Sequence, residues 1–534
     1  MSVAQQPARQ DLARTLAQSR AWDLVVIGGG ATGLGVALDA AARGLSVALV
    51  EAEDFAKGTS SRATKLVHGG VRYLAQGNLR LVREALRERA ILLRNAPHLA
   101  QPLPFLLPVY GAKGRWFDQW FYGSGLMLYD LLSGRQRLGR TEFLGAQAAA
   151  HLAPGLQVRG LTGAVRYWDG QFDDARLALA LARTAIARGA TVINHCAAVG
   201  LLHEAGRIAG VVIEDRESGQ RNSLRTRCVI NATGVWVDEV RRMDRTPRAD
   251  LVAPSQGVHV VVDREFLPGG HAILVPKTKD GRVLFGVPWL GKTLLGTTDT
   301  PRNDLAIEPE PFREEIDFIL GEASRYLARA PTRADIRSVW VGLRPLVKAP
   351  NEDPGDTKAL SREHAVLVER SGLATVTGGK WTTYRAMAED VLAHCMANQL
   401  LPSRPAGATA ALPLVGAPAS GERPLSDPPG LHLYGTEASA VLSLPGAEHD
   451  LAPGLSEAMV RFAVRHEYAR TVEDVLARRS RQLFLDARLA ASIAERTAAI
   501  LCEELGERFD AGKSLRDFAA LAGRYCQLPA QPAQ

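Results

Sequence analysis

The residues best able to do chemistry begin with Gly28, Gly30 and Gly33, spaced as G-x-G-x-x-G, and with Glu51, 23 positions after Gly28. That spacing seats a pyrophosphate. Gly28 permits a tight turn, Gly30 lets backbone approach the phosphates, and Gly33 lets the next helix lie close on the strand. The helix start offers N–H groups and a positive dipole end to the phosphates. Glu51 stands where an acid accepts hydrogen bonds from a plain ribose and disfavours a 2′-phosphate. A second group is Thr59-Ser60-Ser61-Arg62-Ala63-Thr64-Lys65-Leu66-Val67-His68-Gly69-Gly70-Val71-Arg72-Tyr73. It is dense in hydroxyls and basic groups, and Gly69-Gly70 allows close backbone approach to a ligand. A third, Gly378-Gly379-Lys380, reads as a ligand cradle between a loop and a helix. It lacks the G-x-x-x-x-G-K-[ST] spacing of a triphosphate loop.

The elements that must position these residues are legible. Residues 22–27 are a short apolar run, read as a buried strand. Residues 34–43 form an alanine-rich helix stopped by Gly44, and 45–50 a second strand ending on Glu51. Together they make a βαβ unit. Residues 173–189 read as a helix, 190–193 as a strand, and 198–202 with 208–213 as a hairpin-like pair. A strand at 224–230 runs into the small-residue turn Asn231-Ala232-Thr233-Gly234, a second place where backbone can meet a cofactor. Pro102, Pro104 and Pro108 break any helix after Gln101, and the chain there crosses into a second domain. A β-rich section from Ser255 to Asp299 suggests an antiparallel substrate sheet.

The expected organisation is an extension at 1–20 and an oxidoreductase region at 21–400, with substrate-domain segments near 101–160 and 251–345. A proline-rich linker at 401–430 and a separate helical domain at 431–534 follow. Hydrophobic residues make up 46% and charged residues 23% of the 534, so the chain is globular. A net charge of +7 suits an anionic substrate or an anionic membrane surface, and equally a slightly basic solvated surface. None of the five cysteines forms a C-x-x-C pair, which gives no sign of a metal site or a disulfide framework and fits a reducing cytosol. No secretory signal is expected in residues 1–20, and no run approaches the roughly 18–20 apolar residues of a spanning helix. Residues 115–132 carry Trp116, Phe117, Trp120, Phe121, Tyr122, Met127 and Tyr129. Such a stripe suits a membrane-surface helix but is more often core, and core is the reading taken.

With these motifs in hand, the chain resembles the respiratory, FAD-dependent glycerol-3-phosphate dehydrogenases over roughly residues 20–530. The resemblance rests on 28–33, the 60–73 run, 231–236, 256–259, 296–299, 342–346 and 378–385, in that order. In the last domain it rests on Arg465-His466-Glu467-Tyr468-Ala469-Arg470-Thr471 and on 474–479. It implies an α/β fold: a Rossmann-like FAD-binding domain of glutathione-reductase type, an antiparallel β-sheet substrate domain and a C-terminal helical domain. It implies that Gly28, Gly30, Thr32, Gly33 and Glu51 hold the ADP half of FAD. Thr59, Ser60, Ser61, Lys65, His68 and Gly69 would line the pyrophosphate and flavin. Val199 would meet the adenine through its backbone. Ala232, Thr233 and Gly234 would lie near the cofactor, and Thr298, Asp299 and Gly379 would approach the isoalloxazine.

The implied reaction oxidises sn-glycerol 3-phosphate to dihydroxyacetone phosphate. Arg72, Tyr73, Arg344, Arg362 and Lys380 are the expected phosphate donors, because cations of this kind grip a phosphate dianion. His259 is the expected base and His68 its rival, since imidazole titrates near neutrality. Arg344 or Lys380 would share proton handling only with a lowered pKa. Quinone is the implied acceptor, with the protein peripheral on the cytoplasmic face of the cytoplasmic membrane. Dioxygen, as in glycerophosphate oxidases, is the runner-up. Amino acid oxidation is the nearest enzymatic rival, and tRNA-binding flavoproteins are a remote one from another class. The last domain is open to two roles, capping the substrate domain or forming a homodimer.

Overall fold

The βαβ unit places an apolar strand at Ala21–Ile27, a helix at Ala31–Ala42 and a return strand at Val47–Val50. The computed structural model describes residues 6–526 except 71–77, 112–114, 245–248, 277, 279–281, 349–362 and 422, with backbone alone for 115–121. Leu24, Val25 and Val26 are wholly buried. Their continuous apolar run is what a parallel strand covered on both faces requires. One cover is the Ala31–Ala42 helix, which lies against the helices Tyr384–Ala397 and Asp174–Ala187.

The first sheet runs His364–Val368, Leu373–Gly378, Arg221–Asn231, Ala21–Ile27, Val47–Val50, Thr191–Ile193. Its central strands are parallel, and His364–Val368 is an antiparallel edge. The expected hairpin is Cys196–Glu204 with Arg207–Asp215, joined to Arg221–Asn231 as a meander. The carboxyl ends of Ala21–Ile27 and Arg221–Asn231 lie side by side, with Ile27 beside Asn231. That brings the Gly28 turn against the Ala232 turn, where open α/β sheets bind their ligands.

Among the described residues the second sheet has ten strands, and all but one of its pairings are antiparallel. Its strand Ala100–Tyr110 carries Pro102, Pro104 and Pro108. All three sit at even positions, so their missing N–H groups fall on one edge. The other edge carries the ladder to Leu161–Phe172. One face of this sheet is covered by the helix Arg313–Tyr326, with Ile316 and Ile319 against Val258, Val260 and Val262.

The other face is covered by the C-terminal helices. Phe105, Tyr167, Trp289 and Trp340 of the sheet share one core with Phe462, Phe484, Leu501 and Phe518. Each such side chain contributes about 1.5–3 kcal/mol when buried. The helices therefore do not stand apart from the second sheet. The proline-rich stretch between them is also held down. Leu412, Leu414 and Leu425 are buried, and Leu414 N–H donates to the Asn95 carbonyl at 2.9 Å.

Candidate active site

A cavity of about 1580 Å³ runs from the glycine turn to the second sheet. It exceeds the roughly 300–1,000 Å³ usual for a single small ligand. At the turn, Gly28 has φ 110°, and a Cβ there would lie 2.7 Å from the Ala232 carbonyl oxygen. A Cβ on Gly33 would lie 1.9 Å from the Gly28 carbonyl oxygen. Gly33 thus closes the helix onto the turn and does not itself line the cavity, whereas Gly28, Gly30 and Thr32 do. Ser60 Oγ accepts the Ala31 N–H at 2.9 Å, and a Cβ on Gly30 would come within 3.0 Å of that oxygen.

Glu51 is pinned by backbone: it accepts the Gly29 N–H at 2.6 Å and the Glu53 N–H at 2.8 Å. A carboxylate so held still has lone pairs for two ribose hydroxyls. Burial raises its proton affinity, and the nearby acids Glu53 and Asp54 add to this. Such an electronegative corner refuses a 2′-phosphate. A glycine turn that any side chain would fill, a ribose-ready acid and this polarity are the features a dinucleotide with a plain ribose requires.

Farther along, Thr59, Ser60 and His68 line the cavity. Thr59 Oγ1 donates to the Leu343 carbonyl at 2.5 Å and Trp381 Nε1 donates to the Ser60 carbonyl at 2.9 Å, so the second sheet and the turn Trp381–Thr383 hold this segment. Ala232, Thr233 and Gly234 line it from the other turn. Three expectations, those for Ser61, Gly69 and Lys65, need correction. Ser61 is buried behind the lining, with its hydroxyl 3.5 Å from the Gly58 carbonyl. Gly69 gives its N–H to the Tyr129 hydroxyl at 2.6 Å, behind the wall. Ala198 lines the cavity next to Val199, whose expected contact is through its backbone and whose side chain is exposed. Lys65 turns away altogether. Its φ of 63° aims the side chain into the core, where Nζ donates to the Ser61 carbonyl at 2.8 Å and Asp174 at 2.7 Å. There it sits over Trp340, Trp289 and Phe484 at 4.6, 5.0 and 5.4 Å. Burial pushes its pKa down to about 7, against the opposing pull of Asp174.

At the second-sheet end the cavity is lined by His259, Thr298, Asp299, Arg344, Gly379 and Lys380. Register explains the meeting: Val252–Asp263 pairs with Ser338–Val347 so that Ser255 faces Arg344 and Gly257 faces Gly342. Gly257 leaves room for the Arg344 guanidinium, which a Cβ there would meet at 2.2 Å. Arg344 donates to the Gln256 carbonyl at 3.2 Å and to Thr297 Oγ1 at 3.1 Å, and lies 3.4 Å from Asp299. Ser255 Oγ donates to the same Asp299. His259 is buried, stacked on Trp340 at 4.3 Å, with Nε2 3.0 Å from Thr64 Oγ1. Its Nδ1 has no hydrogen-bond partner among the described residues. Burial, with the charges of Lys65 and Arg344, holds its pKa well below the usual imidazole range. The ring is therefore neutral at neutral pH, which corrects the expectation of a histidine titrating there.

Arg72, Tyr73 and Arg362 lie outside the described residues. Three contributors escaped the sequence reading. Glu315 accepts hydrogen bonds from Thr298 at 2.8 Å, Thr300 at 2.6 Å and the Gln256 amide, and so carries the 296–300 loop. Thr382 accepts the His68 N–H at 3.2 Å, and only the 378–385 motif pointed near it. Tyr122, Leu126 and Leu128 of the helix Arg115–Ser133 give the cavity an apolar wall. Read as core, that helix divides. Leu126 and Tyr129 are buried, but Met127, Leu128 and Leu131 are exposed by 46%, 41% and 76%. The Trp116, Phe117, Trp120 and Phe121 side chains lie outside the described residues.

Residues 23–385 match the FAD dependent oxidoreductase family, and residues 431–509 match the C-terminal domain of alpha-glycerophosphate oxidase. The mitochondrial glycerol-3-phosphate dehydrogenase of Arabidopsis thaliana is 40% identical, over 94% of this chain and 86% of that protein. The chain belongs to the FAD-dependent glycerol-3-phosphate dehydrogenase family. The human mitochondrial glycerol-3-phosphate dehydrogenase is 41% identical, over 93% of this chain and 72% of that one. Among solved structures, the Bacillus halodurans glycerol-3-phosphate dehydrogenase complexed with FAD aligns at TM-score 0.78 and 30% identity, over 98% of this chain and 99% of that one. The Mycoplasma pneumoniae L-alpha-glycerophosphate oxidase shares the fold, at TM-score 0.55 and 16% identity over 73% of this chain. FAD is thus the group that the glycine-turn cavity of this dehydrogenase takes.

Proposed function

We propose that the chain oxidises the C2 alcohol of sn-glycerol 3-phosphate to the ketone of dihydroxyacetone phosphate and passes the electrons to a membrane quinone. The observation that carries the reading is one cavity shared by Glu51 at the glycine turn and by Arg344, Lys380 and His259 at the second sheet. On this reading Gly28, Gly30, Thr32 and Glu51 hold the ADP half, Thr59, Ser60, His68 and 232–234 line the middle, and Thr298, Asp299 and Gly379 flank the flavin. Bound FAD supplies two-electron acceptance, and orientation and proton handling fall to the chain.

Arg344 and Lys380 take the phosphate of the substrate. Gln256, Thr297 and Asp299 fix the Arg344 guanidinium beforehand, so little freedom is lost on binding. The alcohol must lose its hydroxyl proton as the ketone forms. We assign it to His259, which lines the cavity with a neutral ring held by Trp340 and Thr64. His68 lines the same cavity and remains its rival.

The membrane half of the reading is supported by the exposed stripe Met127, Leu128 and Leu131, whose helix also walls the cavity with Leu126 and Leu128. Apolar residues at this spacing suit a helix lying in the membrane surface. Among the described residues no helix is long and apolar enough to cross a membrane. Contact on the cytoplasmic face of the cytoplasmic membrane, in a reducing compartment, is the arrangement we propose. The test compares acceptors: turnover of sn-glycerol 3-phosphate with a soluble quinone analogue should far exceed peroxide formation in air. Equal rates would favour the oxidase reading instead.

A further inference from the structure

The segment 51–61 has two sides. Its inner side belongs to the cavity: Glu51 holds the Gly29 N–H, Ala56 N–H donates to the Gly29 carbonyl at 3.0 Å, and Ser60 holds the Ala31 N–H. Its outer side is gripped from the C-terminal helices. Asp54 is wholly buried three positions past Glu51. One of its oxygens accepts from Arg478 Nε and Arg479 Nη1, and the other from Arg479 Nη2 at 3.0 Å and Asn194 at 2.8 Å. Lys57 donates to Glu53 at 3.1 Å and to Glu473 at 3.2 Å, and Glu473 accepts from Arg478 at 2.7 Å. At the far end, Arg481 donates to the Ser61 carbonyl at 2.9 Å and to Asp174 at 3.1 Å.

These arginines come from a wide π-type turn, Asp474–Arg479, followed by Arg481 at φ 65°. Such turns mark functional places more often than ordinary helix does. Asp54, His195 and Asp474 converge closely enough to hold a metal ion. Arg478 and Arg479 already bring two positive charges there, and a divalent ion would be repelled. The cluster is a clamp.

We propose that the C-terminal helical domain is a positioning part of the FAD site, in which Arg478, Arg479 and Arg481 hold 51–61 against the glycine turn. A buried carboxylate stripped of its arginine must move or take up a proton. Either response loosens the grip on the segment that carries Glu51. The same domain is tied to the FAD domain elsewhere. Arg183 grips Glu437 at 2.6 and 2.7 Å, on the helix Asp174–Ala187 and clear of 51–61. That pair is the control, because it is also buried and joins the same two units.

The test titrates FAD-stripped full-length protein with FAD, following flavin fluorescence, with folding checked by circular dichroism. Arg479→Gln should raise the FAD dissociation constant about ten-fold or more, the size typical of coupling between sites. Arg183→Gln should leave it within about two-fold, as for an independent site, even if it lowers the melting temperature. Arg479→Lys, which keeps the charge but cannot span both Asp54 oxygens, should fall between Arg479→Gln and wild type, and it decides the matter if the glutamine variant does not fold. Wild-type affinity in the Arg479 variants overturns the proposal. Equal weakening by Arg183→Gln also overturns it, by showing general loosening. Failure of the wild-type protein to take up FAD overturns the cavity assignment and this proposal with it.

Discussion

Replacing Arg344 by alanine is the sharpest perturbation of the substrate end. The guanidinium is 26% exposed and already oriented by Gln256, Thr297 and Asp299. A charge-assisted hydrogen bond is worth about 1.5–3 kcal/mol. Two such bonds to one phosphate, partly replaced by water in the variant, leave a loss of about 2–4 kcal/mol, or roughly 30- to 1,000-fold in kcat/KM. The loss should appear mainly in KM, because the phosphate undergoes no bond change and its contacts are alike in substrate and transition state. FAD content should not change, since the glycine turn and Glu51 lie on the other sheet's side of the cavity. The assay is steady-state turnover with a soluble quinone analogue across substrate concentrations, for wild type, Arg344→Ala and Arg344→Lys. Lysine should recover only part of the loss, because it keeps the charge but not the fork. The discrimination between sn-glycerol 3-phosphate and glycerol should shrink by the same factor. An unchanged KM in Arg344→Ala would remove this residue from the phosphate site.

Other expectations follow from the same geometry. His259 must be neutral to accept a proton, and its pKa lies well below the imidazole range. Its acid limb therefore falls well below the ordinary imidazole range, and kcat/KM should not drop through that range on its account. A limb near pH 6.5 that vanishes in His259→Gln would contradict this. Gly28→Ala should yield protein that binds FAD at least about 100-fold more weakly, because a left-handed alanine costs about 1–2 kcal/mol and its Cβ would meet the Ala232 carbonyl. Full flavin content in that variant would show the turn to be slack. Leu131→Glu combined with Met127→Glu should weaken sedimentation with anionic vesicles about ten-fold or more, while turnover on a soluble quinone analogue stays as in wild type. Undiminished vesicle binding would take this helix out of the membrane contact.

The nucleotide half of the site was legible because its signals are local. The turn, the helix and the acid fall within 24 residues, and each of Gly28, Gly30 and Glu51 has one steric or hydrogen-bonding reason to be there. The residues proposed for the substrate end were singled out only through the family likeness. Arg344, Thr298 and His259 meet because strands from distant parts of the chain come into register, which no spacing announces. Lys65 was misplaced for a conformational reason: its left-handed backbone reverses a side chain that its neighbours made look ligand-facing. Likewise His259 has the right residue type but a desolvated setting that type alone does not reveal. Glu315 and the Asp54–Arg479 pair could not be read at all, since the second joins residues 425 positions apart. The prolines of Ala100–Tyr110 spoke against a helix, and their common parity lets a strand accept them.

Anaerobic mixing with sn-glycerol 3-phosphate, followed by flavin absorbance, puts the whole arrangement to one trial. The purified protein should be yellow, and the oxidised-flavin band should bleach in a single turnover, with dihydroxyacetone phosphate formed in equal amount to flavin. A protein that stays yellow with this substrate, while glycine or L-proline bleaches it, would contradict the assignment of Arg344, Lys380 and His259 to a phosphorylated alcohol.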